Sequence, residues 1–121
     1  MYINLVEAFA IQNLTVIKWP TSTEIKNELW HVSGRLKHRS NHEDKFDVRD
    51  MKKMKDGLWG KYGSTKTKAT KLVFDTGSQW IILDMQEFLN YIKSHPKQPF
   101  HLEKLASGLE WNVILDKNTT P

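Results

Sequence analysis

The chain is 121 residues long, with 39% hydrophobic and 26% charged residues and a formal net charge of +4. That length gives one domain, at roughly 100–150 residues each, with enough chain for a single core that needs no staples. There is no cysteine, which excludes disulfides, a thiolate nucleophile, Cys-based zinc and iron–sulfur clusters and suits a reducing, cytoplasmic setting. No apolar run nears the roughly 18–20 residues that span a bilayer, and no basic stretch precedes the apolar start as in a secretory signal. Mean hydropathy is polar at −0.57. Five Trp, five Phe and three Tyr nevertheless argue for a packed core.

Taken in chain order, Tyr2–Val6 has the composition of a strand, and Glu7–Asn13 fits a turn or a short helix. Leu14–Trp19 is rich in β-branched residues and stops at Pro20, which predicts a strand. Thr21 and Glu24 have capping-box spacing. Ile25, Leu29, Val32 and Leu36 follow on one helical face, so the pattern predicts a helix ending near Arg35, Lys37, His38 and Arg39. Gly34 weakens that helix by about 1 kcal/mol relative to Ala. Ser40–Lys45 reads as a loop. Asp47 has the position of a cap for a second helix carrying Val48, Met51, Met54 or Lys55, and Leu58, with a strand from Phe46 to Val48 as the alternative. A mobile basic loop is expected at 60–70.

Leu72–Phe74 and Trp80–Leu83 predict two strands joined by a tight turn at Asp75–Ser78. Asp84 then caps a helix, with Glu87 three residues on and a Leu83/Phe88 staple. Met85 or Tyr91, with Phe88, Leu89 and Ile92, form its buried face, and His95-Pro96 ends it. Leu102–Ser107 predicts a short helix closed by Gly108. Leu109–Leu115 alternates as a strand, and a polar tail begins at Lys117. The expected fold is α+β: a single domain with a small, mostly antiparallel sheet packed against two or three helices. The expected core is Val16, Ile25, Leu29, Val32, Leu36, Val73, Trp80, Ile82, Phe88, Leu89, Ile92, Leu105, Val113 and Leu115.

The segment Leu72–Ser78 resembles the active-site loop of pepsin-like and retroviral aspartic proteases, which place Asp-Thr/Ser-Gly after an apolar strand. The resemblance would make Asp75 the catalytic carboxylate and Thr76 its brace. It covers seven residues of 121. Only 43 residues follow Ser78, too few for the later elements of a single-loop protease. Asp75-Thr-Gly-Ser78 is therefore read as a hairpin turn, and no catalytic residue is assigned.

Other chemistry is sparse. Gly57, Gly60 and Gly63 with Lys61 and Lys66 suggest a phosphate cradle but form neither a Walker loop nor a dinucleotide fingerprint. The five histidines show no metal-ligand spacing, so no metal or other cofactor is expected. Glu43-Asp-Lys45 has the E-x-K shape of some nuclease cores, which carry it on a strand; here it falls in the expected loop. The Asn13 and Asn118 glycosylation sequons are read as chance.

Charge carries the strongest signal. Residues 51–72 hold seven Lys against one acid, Asp56. Such clustering creates a field that attracts polyanions. Lys52, Lys53, Lys55, Lys61, Lys66, Lys68 and Lys71 would neutralise phosphates, and Trp59 and Tyr62 would stack on unpaired bases. Arg35 and Arg39 would extend the footprint. The sequence thus points to a small non-enzymatic binder of single-stranded DNA or RNA. The alternatives are a compact inhibitor or accessory factor on an acidic protein, such as a virus or mobile element encodes, and a binder of a small anionic nucleotide. An exposed edge of the 71–83 hairpin would be compatible with a homodimer.

Overall fold

A computed structural model describes residues 4–38, 41–50, 67–94 and 102–117, with backbone alone at 102–104. Among the described residues four helices accompany one sheet: α1 (Leu5–Asn13), α2 (Ser22–Glu28), α3 (Met85–Ser94) and α4 (Leu102–Gly108). The strands are β1 (Leu14–Lys18), β2 (Val32–Leu36), β3 (Asp44–Asp50), β4 (Lys71–Asp75), β5 (Gln79–Asp84) and β6 (Asn112–Asp116). They lie in the sheet in sequence order. Every neighbouring pair is antiparallel except β3 and β4, which run parallel with Phe46 beside Lys71 and Asp50 beside Asp75. The α+β class and mostly antiparallel sheet are as the sequence predicts.

Both faces of the central strands are covered. On one face Phe9 and Ala10 of α1 pack with Leu14, Val32, Phe46, Val73, Trp80 and Ile82. On the other, Leu72, Phe74, Ile81 and Leu83 meet Phe88 and Leu89 of α3 and Leu105 of α4. Burial on both sides explains why β4 and β5 read as continuous apolar runs. Among the described residues no helix is long and apolar enough to cross a membrane.

The chain from 21 onward departs from the helix that its spacing predicts. The capping box does form: Glu24 N donates to Thr21 Oγ1 at 3.2 Å, and Thr21 N donates to Glu24 Oε1 at 3.0 Å. The helix then stops at Glu28, with Leu29 in the left-handed region (φ 59°). Val32 and Leu36 are four residues apart, which satisfies a helical stripe and a strand face equally well. Gly34 decides between them. A Cβ there would lie 2.9 Å from the Thr15 carbonyl oxygen, so its absence lets β1 close onto β2.

Three other expectations are corrected. Asp47 caps no helix but lies buried in the middle of β3, so the strand alternative for Phe46–Val48 is the observed one. Leu5 and Val6 belong to α1, not to a strand, because Asn4 caps that helix and Glu7 N donates to its Oδ1 at 2.9 Å. Val16 and Ile25, expected in the core, are 49% and 51% exposed. Val16 also sits at φ 54°, where β1 bulges between Thr15 and Lys18. A β-branched residue is strained there, and the bulge turns its side chain away from the core.

The hairpin and the helix after it form as expected. Asp75 Oδ1 accepts from Gly77 N at 2.8 Å, Thr76 N donates to Gln79 O at 3.1 Å, and Gly77 supplies φ 99°. Asp84 caps α3 through Glu87 N at 3.1 Å. The Glu87 carboxylate does not return to the cap. It accepts from the amides of Glu110 and Trp111 at 2.8 and 3.1 Å, fastening the approach to β6 onto α3.

Candidate nucleic-acid interface

Charge divides unevenly between the described frame and the rest of the chain. The described residues carry eleven Lys or Arg against thirteen Asp or Glu, whereas the remaining residues carry seven against one. The whole basic surplus therefore lies outside the described frame. Most of it is in 51–66, where Lys52, Lys53, Lys55, Trp59, Lys61, Tyr62 and Lys66 lie, with Gly57, Gly60 and Gly63; Arg39 also lies outside the described residues.

The frame shows where that segment is inserted. It leaves β3 after Asp50 and rejoins at Thr67. Since β3 and β4 are parallel, those two points lie toward opposite ends of the pair. Residues 60–66 of the basic loop expected at 60–70 lie outside the described residues, and the return over 67–70 is hydrogen-bonded to the frame. Lys68 N donates to Glu28 O and Thr70 N to Lys45 O, both at 2.8 Å, and Thr67 Oγ1 donates to Leu29 O at 3.0 Å. Ala69 is buried. This leaves the Lys68 side chain exposed on a fixed backbone.

Most described cations near this segment already have carboxylate partners. Lys71 reaches Asp44 and Asp84 at 3.4 and 3.3 Å and stands 4.7 Å over the Trp111 ring. Arg35 lies 4.0 Å from Glu43, which also takes Lys18 at 3.4 Å. Lys45 donates to Glu28 at 2.9 Å, and Trp30 Nε1 donates to the same carboxyl at 3.0 Å; both hold the Glu28 carboxyl below the usual carboxylate range. The structure thus places Lys71 and Arg35 in the bonding of the frame and leaves Lys68 exposed.

Two motifs that the sequence singles out gain a location. Asp44 and Lys45 of the E-x-K triplet do open a strand, β3, contrary to the loop expected. Their partners are the ion pairs above, and among the described residues no group of three His, Asp or Glu is placed to hold a metal. Asp75 accepts the Gly77 amide and pairs with Lys117 at 2.6 Å.

The sequence reading misses a groove beside β1. It encloses about 660 Å³ between α1, α2 and the end of β1, with Val6, Ile11, Trp19 and Ile25 as its apolar walls. Trp19 is 53% and Ile11 57% exposed. Glu7 and His31 supply polar groups to the lining. The only sequence signal for this site is Trp19 itself, a large aromatic at the end of a strand just before a proline.

A buried ionic cluster supports the His31 wall. Asp47 is 1% exposed; Arg49 Nε lies 2.8 Å from its Oδ1, and Arg49 Nη2 donates to Oδ2 at 3.0 Å. Val48 N donates to His31 Nδ1 at 2.9 Å, so the neutral ring carries its proton on Nε2. Burial pushes the His31 pKa below its ordinary value of about 6.5, outweighing the nearby Asp47, which raises it; Arg49 lowers it further. The unfolded chain therefore binds this proton more readily than the folded one. His31's contribution to stability is fully present above about pH 6.5 and is lost as pH falls from there toward the lower folded value. His31→Gln should flatten that part of a urea-midpoint profile measured from pH 7.5 to 5; a profile of unchanged slope would refute the assignment. No family model matches this chain, and no curated protein or solved structure matches it.

Proposed function

We propose that this protein is a non-enzymatic binder of single-stranded nucleic acid that contacts phosphates through its basic segment. One observation carries this reading: the described frame is net acidic and engages Lys18, Lys45, Arg49, Lys71 and Lys117 with its own carboxylates, while the lysine surplus is inserted at the β3–β4 crossover. Lysines that meet phosphates release counterions, and Trp59 and Tyr62 in the same segment provide stacking faces.

Fluorescence anisotropy with labelled oligonucleotides tests it. If about five phosphates are neutralised, single-strand affinity falls about a hundredfold between about 50 and 200 mM salt. Charge reversal at Lys66 and Lys68 should weaken binding at least tenfold and reduce the salt slope, while the urea midpoint stays put. Absence of binding at about 50 mM salt, or full affinity in the reversed variant, would overturn the reading.

A second reading, an accessory protein docking on an acidic partner, draws on Val16 and Ile17, which are 49% and 37% exposed along β1. It requires a complex with an acidic protein that survives nuclease digestion.

A further inference from the structure

We propose that the groove bounded by Trp19, Ile11 and Ile25 seats one unpaired base of the bound strand. This rests on the nucleic-acid reading and gives it a site in the described frame, independent of the lysines.

Three observations meet at the groove. The first is shape and surface. A cleft of about 660 Å³ falls within the roughly 300–1,000 Å³ of small-ligand sites. Its walls combine the half-exposed indole of Trp19 with the aliphatic side chains of Ile11 and Ile25. A planar base fits between an aromatic and an aliphatic wall. An aliphatic patch alone would attract any apolar group, but Trp19 adds a π-face.

The second is polarity. The Glu7 carboxylate is steadied by Asn4 Nδ2, which donates to Oε1 at 2.8 Å, and a carboxylate can only accept hydrogen bonds. His31 presents its Nε2–H, because Nδ1 is taken by the Val48 amide. The lining thus contains a donor and an acceptor, as the edge of a base requires. A purely apolar side chain from a protein partner would desolvate both groups and satisfy neither.

The third is position. The Val48–His31 hydrogen bond puts the groove wall against the last part of β3. The basic run begins directly after that strand, with Lys52 and Lys53. Lys26, exposed on α2, follows Ile25. Lys26 therefore offers a phosphate contact beside a groove wall.

The test is anisotropy on Trp19→Ala and Trp19→Phe alongside the wild type and the Lys66/Lys68 reversal. Stacking of one base implies that Trp19→Ala lowers single-strand affinity roughly 5- to 150-fold. The loss should leave the salt slope unchanged, spare duplex binding, and be largely restored in Trp19→Phe. Since Trp19 is half-exposed, the urea midpoint of each variant reports whether the fold is intact. If Trp19→Ala binds as the wild type does while the lysine reversal fails, the groove proposal falls and the functional reading stands. If the wild type binds no oligonucleotide, both fall.

Discussion

Trp80→Ala should destabilise the domain by about 3–5 kcal/mol, the usual cost of removing a buried Trp or Phe side chain. Total stability for a domain is only about 5–15 kcal/mol, so much of the variant should be unfolded near 37 °C. Trp80 is 1% exposed on β5, between β4 and β6, and several parts of the fold converge on it. Its ring meets Phe9 of α1 edge-on with centroids 5.4 Å apart. Nε1 donates to Gln12 at the end of α1 at 3.0 Å, across 68 residues of sequence. Lys117 stands 4.4 Å over the ring while pairing with Asp75. Truncation opens a cavity and also releases α1 and the Lys117 latch. Trp80→Phe keeps the ring and should lose less than Trp80→Ala in urea denaturation followed by circular dichroism. A Trp80→Ala loss under about 1 kcal/mol would show that α1 is held chiefly elsewhere.

The module around Trp80 was legible in the sequence because its local and global signals agree. Apolar runs, turn residues and the Asp84 cap all indicate hairpin then helix, and that arrangement is observed. The chain before it was less legible. In Val32–Leu36 a helical stripe and a strand face share their end positions, and only the approach of β1 to Gly34 resolves the choice. Asp47 looked like a cap since buried carboxylates are rare. Its place inside β3 depends on Arg49, two residues along on the same face, and on His31 from another strand's approach. Periodicity cannot show such a pairing. The parallel β3–β4 contact was equally hidden, because it joins segments separated by the basic run. The lysine surplus could be read by counting. The groove could not, since Trp19, Ile11 and Ile25 come together only when α2 ends early and the chain turns back into β2.

Asp47→Ala should cost about 1–3 kcal/mol, because the buried Asp47 carboxylate is a partner of Arg49, whose side chain stays 30% exposed. Removing one partner and removing both are then separable in two variants. Replacing both residues, as in Asp47→Leu with Arg49→Met, removes the charge along with its partner and should be more stable than Asp47→Ala alone. Equilibrium urea unfolding of Asp47→Leu, Arg49→Met and the double variant measures the coupling. A double variant weaker than Asp47→Ala would mean the cluster is held by contacts of Arg49 other than this pair. The result also bears on the proposed base site. His31 Nδ1 lies 3.3 Å from Asp47 Oδ1, and its ring lines the groove. If the buried pair fixes that ring, the double variant should stay folded yet bind single strands more weakly, because the donor at the groove wall is no longer held in place. Undiminished affinity in a folded double variant would confine Asp47 to the stability of the sheet.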